Sequence, residues 1–231
     1  MIYHFTSHSS FSKPFIAVMA AFSRKHGTPV TIVYSTRNEP TDLARRVRFA
    51  IERIRRLAKG KGPLRHGLPV LQTNDVNSPV FYERISNEDV GIVTGFNQIF
   101  RSQVLYRFGF VVNVHPSVLP LYRGPVPVQS CLLNGEQMTG FTLHKMTEKI
   151  DSGEILFQGT VSMQGIADVD VLSSLIGQKA SHVLVQYLEQ TLRGDRWQVA
   201  TADAKTVYRT HVPYARAPAK RPMLVPTGND E

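Results

Sequence analysis

Short apolar runs alternate with longer stretches of helical spacing along the first half of the chain. Ile2 to Phe5, Val30 to Ser35, Pro69 to Gln72, Val90 to Thr94 and Gly109 to Asn113 are strand-length runs rich in β-branched and aromatic residues. Between them, Pro14 to His26, a basic stretch over 41–61 and Pro79 to Ile85 repeat their apolar positions at helical intervals. This alternation predicts a parallel sheet covered by helices. Farther on, Val126 to Leu133 suits a helix ended by Asn134-Gly135, and Phe141 to His144 and Glu154 to Phe157 suit two more strands. Asp168 or Asp170 can cap a long final helix, whose stripe of Leu172, Leu175, Ile176, Ala180, Val183, Leu184, Tyr187, Leu188 and Leu192 predicts core packing.

A chain of 231 residues with 42% apolar composition can bury one sizeable core. The expected division is a core over 1–195 and a C-terminal extension over 196–231. From Lys205 onward periodicity is lost and Pro, Arg and Lys accumulate, which suits either a docked or a disordered tail. Cys131 is the single cysteine, so no disulfide can form within the chain and a reducing compartment is expected. Its setting suits a small buried residue in a helix. The N-terminus lacks the basic and apolar regions of a leader, and no run approaches the ~20 apolar residues of a membrane span. A soluble, cytoplasmic protein with no membrane partner is therefore expected.

The net charge of +9 raises nucleic acid as a partner, but the charge is concentrated. Between Thr41 and His66 stand nine Lys or Arg against Asp42 and Glu52. There Leu43, Val47, Ala50, Ile54 and Leu57 recur at helical spacing and leave the arginines on the other faces. That segment is either a solvated helix face or a surface that attracts a phosphorylated partner.

Asn113-Val114-His115-Pro116-Ser117 carries the chemistry, together with the later Lys149-Ile150-Asp151-Ser152-Gly153. Residues two apart on a strand share a face, so Asn113 and His115 project together before Pro116 turns the chain. An amide, an imidazole and a carboxylate are the set that acyl transfer to an amine requires. His115 would take the ammonium proton, Asn113 would donate to the oxyanion, and Asp151 would fix the imidazole and support its charge. No metal is needed for these roles.

The segment from Asn113 to Leu156 resembles the formyltransferases that use 10-formyltetrahydrofolate, a family that includes enzymes acting on glycinamide ribonucleotide, methionyl-tRNA and nucleotide-linked amino sugars. The likeness runs closely from Gly95 to Phe157. It implies an enzyme with a Rossmann-like, mostly parallel sheet and helices on both faces, Asn113, His115 and Asp151 as catalytic residues, and 10-formyltetrahydrofolate as co-substrate. It also implies that Phe96, Gln98, Ile99 and Phe100 on one side, and Glu148, Lys149 and Ile150 on the other, hold the folate, with Gln98 where some relatives have Arg. Ser117-Val118-Leu119-Pro120 departs mildly from the family's Ser-Leu-Leu-Pro.

The resemblance also bears on the acceptor. Methionyl-tRNA enzymes add a C-terminal RNA-binding domain of about a hundred residues, for which this length leaves no room. Ribonucleotide enzymes open with a Gly-rich phosphate loop, where this chain has Thr6-Ser7-His8-Ser9-Ser10-Phe11; a serine-rich turn can still bind phosphate. Tyr122-Arg123-Gly124 and Gly140 to Met146, His144 included, resemble the sugar enzymes. The expectation is therefore an N-formyltransferase for a nucleotide-linked amino sugar, a 4-amino-4,6-dideoxyhexose destined for O-antigen or another surface polysaccharide. Ser117, Tyr122, Arg123, Gly124 and His144 would contact the acceptor, with His144 alternatively filling space beside the sheet. The alternatives are a glycinamide ribonucleotide or methionyl-tRNA enzyme, or a non-catalytic RNA-binding relative. A homodimer is expected, and nucleic acid is not expected as a partner.

Overall fold

The structure is a computed structural model, described over residues 1–37 and 66–194. The arginine-rich segment and the C-terminal extension lie outside the described residues. Strands β1 (Ile2–Thr6), β2 (Val30–Ser35), β3 (Val70–Thr73), β4 (Val90–Thr94), β5 (Phe110–His115), β6 (Met138–Lys145) and β7 (Ile155–Ser162) form one sheet in the order β3-β2-β1-β4-β5-β6-β7. The first five pair in parallel, and β6 and β7 then run antiparallel. Among the described residues the helices are α1 (Lys13–His26), α2 (Pro79–Tyr82), α3 (Ser102–Leu105), α4 (Pro127–Leu133) and α5 (Val169–Leu192).

The central strand β1 is buried along its whole length, as expected where both faces of a parallel sheet are covered. On one face Phe15, Met19, Ile32, Ile92, Val112, Leu143, Leu172, Ile176 and Leu184 share a core with α1 and α5. On the other, Tyr3, Phe5, Val33, Val93 and Val111 pack against Phe81, Phe100 and Phe108. Asp168 caps α5 by accepting from the Val171 amide at 2.8 Å, whereas Asp170 accepts from the Ser10 hydroxyl at 2.8 Å. Cys131 is buried in α4, its sulfur 3.3 Å from the Thr139 hydroxyl.

The site depends on the reversal between β5 and β6. β5 runs parallel to β4 and brings Asn113 and His115 to the C-terminal end of the parallel strands. Because β6 runs the other way, His144 sits opposite Asn113 and Thr142 opposite His115. The β6–β7 connection, which holds Asp151, therefore emerges beside Asn113.

Candidate active site

The chain beyond β5 is tied down by Thr142. Its hydroxyl donates to the Ser117 carbonyl at 2.7 Å and accepts from the Leu119 amide at 3.0 Å, while Gln158 donates to the Leu119 carbonyl at 2.6 Å. Ser117 is fully buried and gives its own hydroxyl to the Leu121 carbonyl at 2.7 Å. These bonds aim Tyr122 to Gly124 back over the end of the strand.

Asn113, His115 and Asp151 converge there. Asp151 Oδ2 lies 3.6 Å from His115 Nδ1, and Oδ1 lies 3.4 Å from Asn113 Nδ2. The Gly124 amide donates to Asp151 Oδ2 at 2.9 Å. His115 Nε2 stands 2.9 Å from the Tyr122 carbonyl. A carbonyl can only accept, so Nε2 carries the hydrogen and a neutral ring leaves its Nδ1 lone pair facing Asp151. At 3.6 Å that approach is too long for a hydrogen bond, and it marks a place where a proton would be welcomed. Burial outweighs the attraction of Asp151 and the Tyr122 bond, and the Arg123 charge adds to it, so the His115 pKa lies below its ordinary value.

His144 takes the opposite tautomer. Its Nδ1 is 3.0 Å from the Lys145 carbonyl, so that nitrogen donates and Nε2 is left as an acceptor, 3.0 Å from Asn113 Nδ2. Burial pushes its pKa down to about 4 and keeps the ring neutral near pH 7. Its 3.7 Å approach to Asp151 is accordingly not an ion pair. His144 is thus buried, with its accepting nitrogen turned to the Asn113 amide.

Two non-glycine residues at the site have left-handed backbone, Tyr122 with φ 54° and Asp151 with φ 48°. This conformation costs an L-residue roughly 1–2 kcal/mol and persists only where the surroundings enforce it. Just past Asp151 the loop lies tight against β6. A Cβ on Gly153 would fall 1.8 Å from the Lys145 carbonyl oxygen, so the chain can close against β6 only with glycine there.

Beside the trio runs a cleft of about 690 Å³, lined by Leu105, Tyr106, Phe108, Gly109, Phe110, Val111, Lys145, Met146, Thr147, Glu148, Lys149 and Ser152. Val111 precedes Asn113 on the same face of β5, and Ser152 follows Asp151, so cleft and trio adjoin. Of the residues assigned to folate from the sequence, Glu148 and Lys149 line this cleft. Ile99 and Ile150 are exposed, and Phe96 and Phe100 pack on Phe5. The Gln98 side chain turns inward: Oε1 accepts from the Val76 amide at 2.9 Å, and Nε2 donates to the Ser35 hydroxyl at 2.6 Å and the Thr73 carbonyl at 3.3 Å. Leu105, Tyr106 and Phe108 are cleft residues that no motif in the sequence marks, and Met146 is marked only as the end of the Gly140 to Met146 stretch. Their signal was available as apolar residues immediately before β5 and after β6.

The serine-rich turn after β1 is closed on itself. Ser7, Ser9 and Ser12 hydroxyls lie 2.8 to 3.0 Å from one another, and Ser12 donates to the Thr94 carbonyl at 2.8 Å. Among the described residues, no helix is long and apolar enough to cross a membrane.

The family model described as formyl transferase matches residues 5–188. Methionyl-tRNA formyltransferase from Chloroflexus aggregans is 39% identical over 136 residues, 57% of this chain and 44% of that protein. The chain thus spans less than half the length of the curated relatives it matches. A glycinamide ribonucleotide transformylase from Symbiobacterium toebii superposes with a TM-score of 0.61 at 21% identity, covering 84% of this chain and 87% of that one. A sugar N-formyltransferase from Shewanella sp FDAARGOS_354 does so with a TM-score of 0.56 at 20% identity, covering 88% and 74%. Both likenesses concern the fold. The fold likeness does not separate sugar from ribonucleotide enzymes, and the sequence relative reported above is a methionyl-tRNA enzyme, so the special kinship with sugar enzymes expected from the sequence is not singled out.

Proposed function

Because the chain belongs to the formyl transferase family, we propose that it moves the formyl group of 10-formyltetrahydrofolate onto a primary amine at Asn113, His115 and Asp151. The convergence of these three residues beside a half-apolar cleft carries the proposal. The cleft offers Phe108, Val111 and Met146 to a flat ring and Lys145 and Lys149 to an anionic tail, which suits the folate. Bound there, the folate supplies an activated formyl carbon. Asn113 donates to the oxygen of that carbon as the amine adds and negative charge develops. His115 takes the amine proton at Nδ1, where Asp151 supports the imidazolium, and the proton passes on as the bond from the formyl carbon to the folate nitrogen breaks. Net change is one C–N bond made, one broken and one proton moved.

For the acceptor, we propose the amine of a nucleotide-linked amino sugar, such as a 4-amino-4,6-dideoxyhexose. The glycine-free turn after β1 supports it against glycinamide ribonucleotide. Methionyl-tRNA is the second reading, favoured by the 39% identity of the Chloroflexus aggregans relative. The charge of +9 suits both phosphate-bearing acceptors. Incubation of the full chain with 10-formyltetrahydrofolate and a panel of nucleotide-linked amino sugars, methionyl-tRNA and glycinamide ribonucleotide decides between them. Formylation of a sugar is expected. Transfer confined to methionyl-tRNA replaces the acceptor, and transfer to none of the panel overturns the proposal.

A further inference from the structure

We infer that Tyr122 is a positioning residue for proton transfer, held in its left-handed conformation by Glu136 so that its carbonyl fixes the tautomer of His115. The inference rests on the proposed use of His115 as proton acceptor and adds to it a means by which the accepting nitrogen is chosen.

The placement of Glu136 comes first. Helix α4 ends with Asn134, then Gly135 at φ 64°; the Gly135 amide bonds the Leu132 carbonyl at 3.1 Å and the Glu136 amide bonds the Cys131 carbonyl at 3.2 Å. This pair of bonds is the Schellman ending, and it sets Glu136 at a defined place just past the helix. A carboxylate at a helix C-terminus opposes the macrodipole, so helix stability does not account for an acid there. The Tyr122 hydroxyl donates to Glu136 Oε1 at 2.5 Å and accepts from Asn134 Nδ2 at 3.0 Å. One end of α4 therefore grips the tip of the Tyr122 side chain with two side chains.

At its backbone the same residue works on the site. A tyrosine at φ 54° is an outlier that its surroundings must enforce. The conformation turns the Tyr122 carbonyl onto His115 Nε2 and, two residues on, the Gly124 amide onto Asp151 Oδ2. With Nε2 committed as donor, Nδ1 is the nitrogen left to receive a proton, on the side of Asp151. If the carbonyl turned away, the ring could place its hydrogen on Nδ1 toward Asp151, and the accepting nitrogen would point away from the carboxylate. The charged or titratable groups facing His115 are Asp151, Arg123 and His144; those facing the Tyr122 hydroxyl are Glu136 and Cys131.

Tyr122→Phe keeps the ring and removes the grip, Glu136→Ala removes it from the other side, and Glu136→Gln keeps an accepting oxygen. Long-range 1H–15N NMR of the unliganded full chain reads the His115 tautomer without any acceptor. Wild type should show Nε2–H, Tyr122→Phe and Glu136→Ala a mixture of tautomers, and Glu136→Gln the wild-type form. In turnover of 10-formyltetrahydrofolate with its acceptor, Tyr122→Phe should lower kcat by about five- to tenfold, the scale of one lost hydrogen bond, with KM for the folate unchanged. Its acid limb should move to lower pH, because the protonated ring loses an acceptor. Wild-type Nε2–H persisting in both Tyr122→Phe and Glu136→Ala, with an unmoved acid limb, overturns the inference while leaving His115 as the base. Full turnover by His115→Asn overturns both.

Discussion

Asn113 and His144 face each other across the β5–β6 pair with 3.0 Å between amide nitrogen and Nε2. The amide nitrogen is the donor because His144 has spent its own hydrogen on the Lys145 carbonyl. A terminal amide is free to flip, and flipping would present oxygen in place of the donor on which the proposed mechanism relies. His144 removes that freedom.

Replacing His144 should therefore act on turnover through Asn113. His144→Leu is expected to lower kcat about tenfold or more by freeing the amide, and His144→Gln, whose oxygen can accept, to retain most of it. Steady-state turnover of both variants checks this. Equal losses in the two would show that orientation is not what His144 provides.

Asn113→Ala should cost on the order of a hundredfold in kcat, the scale of one oxyanion donor. Asn113→Asp should do no better, since a carboxylate at that place accepts and carries the wrong charge. Near wild-type turnover in Asn113→Ala would remove Asn113 from the mechanism.

Stability should fall on mild acidification. Burial holds His144 down to about 4 and His4 down to about 3, with His4 bonded through Nε2 to the Thr94 hydroxyl at 2.9 Å. Both rings are neutral when folded but titrate near 6.5 when unfolded, so below that pH the unfolded chain binds more protons and is favoured. The loss begins near pH 6.5 and continues to about pH 4 for His144 and about pH 3 for His4. Denaturant midpoints between pH 7.5 and pH 4.5, roughly the span that brackets the unfolded His titration, should decline steadily, and His4→Gln should flatten part of the slope. An unchanged slope in His4→Gln would mean that His4 is charged in the fold or does not contribute.

Gly153→Ala should damage the site without touching a reacting group. Its Cβ would collide with backbone at the Lys145 carbonyl, which cannot yield as a flexible side chain would. The loop must back away and take Asp151 with it. A lower Tm together with a fall in kcat is expected; a fall in Tm alone would show that Asp151 keeps its place.

Much of this was legible from residue order. The apolar runs located each strand among the described residues, although β6 and β7 run longer than those runs, and the two-residue period put Asn113 and His115 on one face, with His115 closing β5. Strand pairing was harder to read, because no local pattern reports that β6 enters antiparallel and sets His144 against Asn113. Gln98 shows the limit well: its partners Ser35 at the end of β2 and Thr73 and Val76 at and just past the end of β3 are brought to it only by folding. Helix α3 is four residues long, too short for a helical period to appear. Glu136 carries no local signal, because its meaning depends on a tyrosine 14 positions earlier.

The Gln98 amide ties the loop over 95–101 to the ends of β2 and β3, so that loop is ordered when the chain folds rather than when a ligand arrives. A ligand lying against that backbone meets a surface already set, and its binding entropy carries no charge for ordering it.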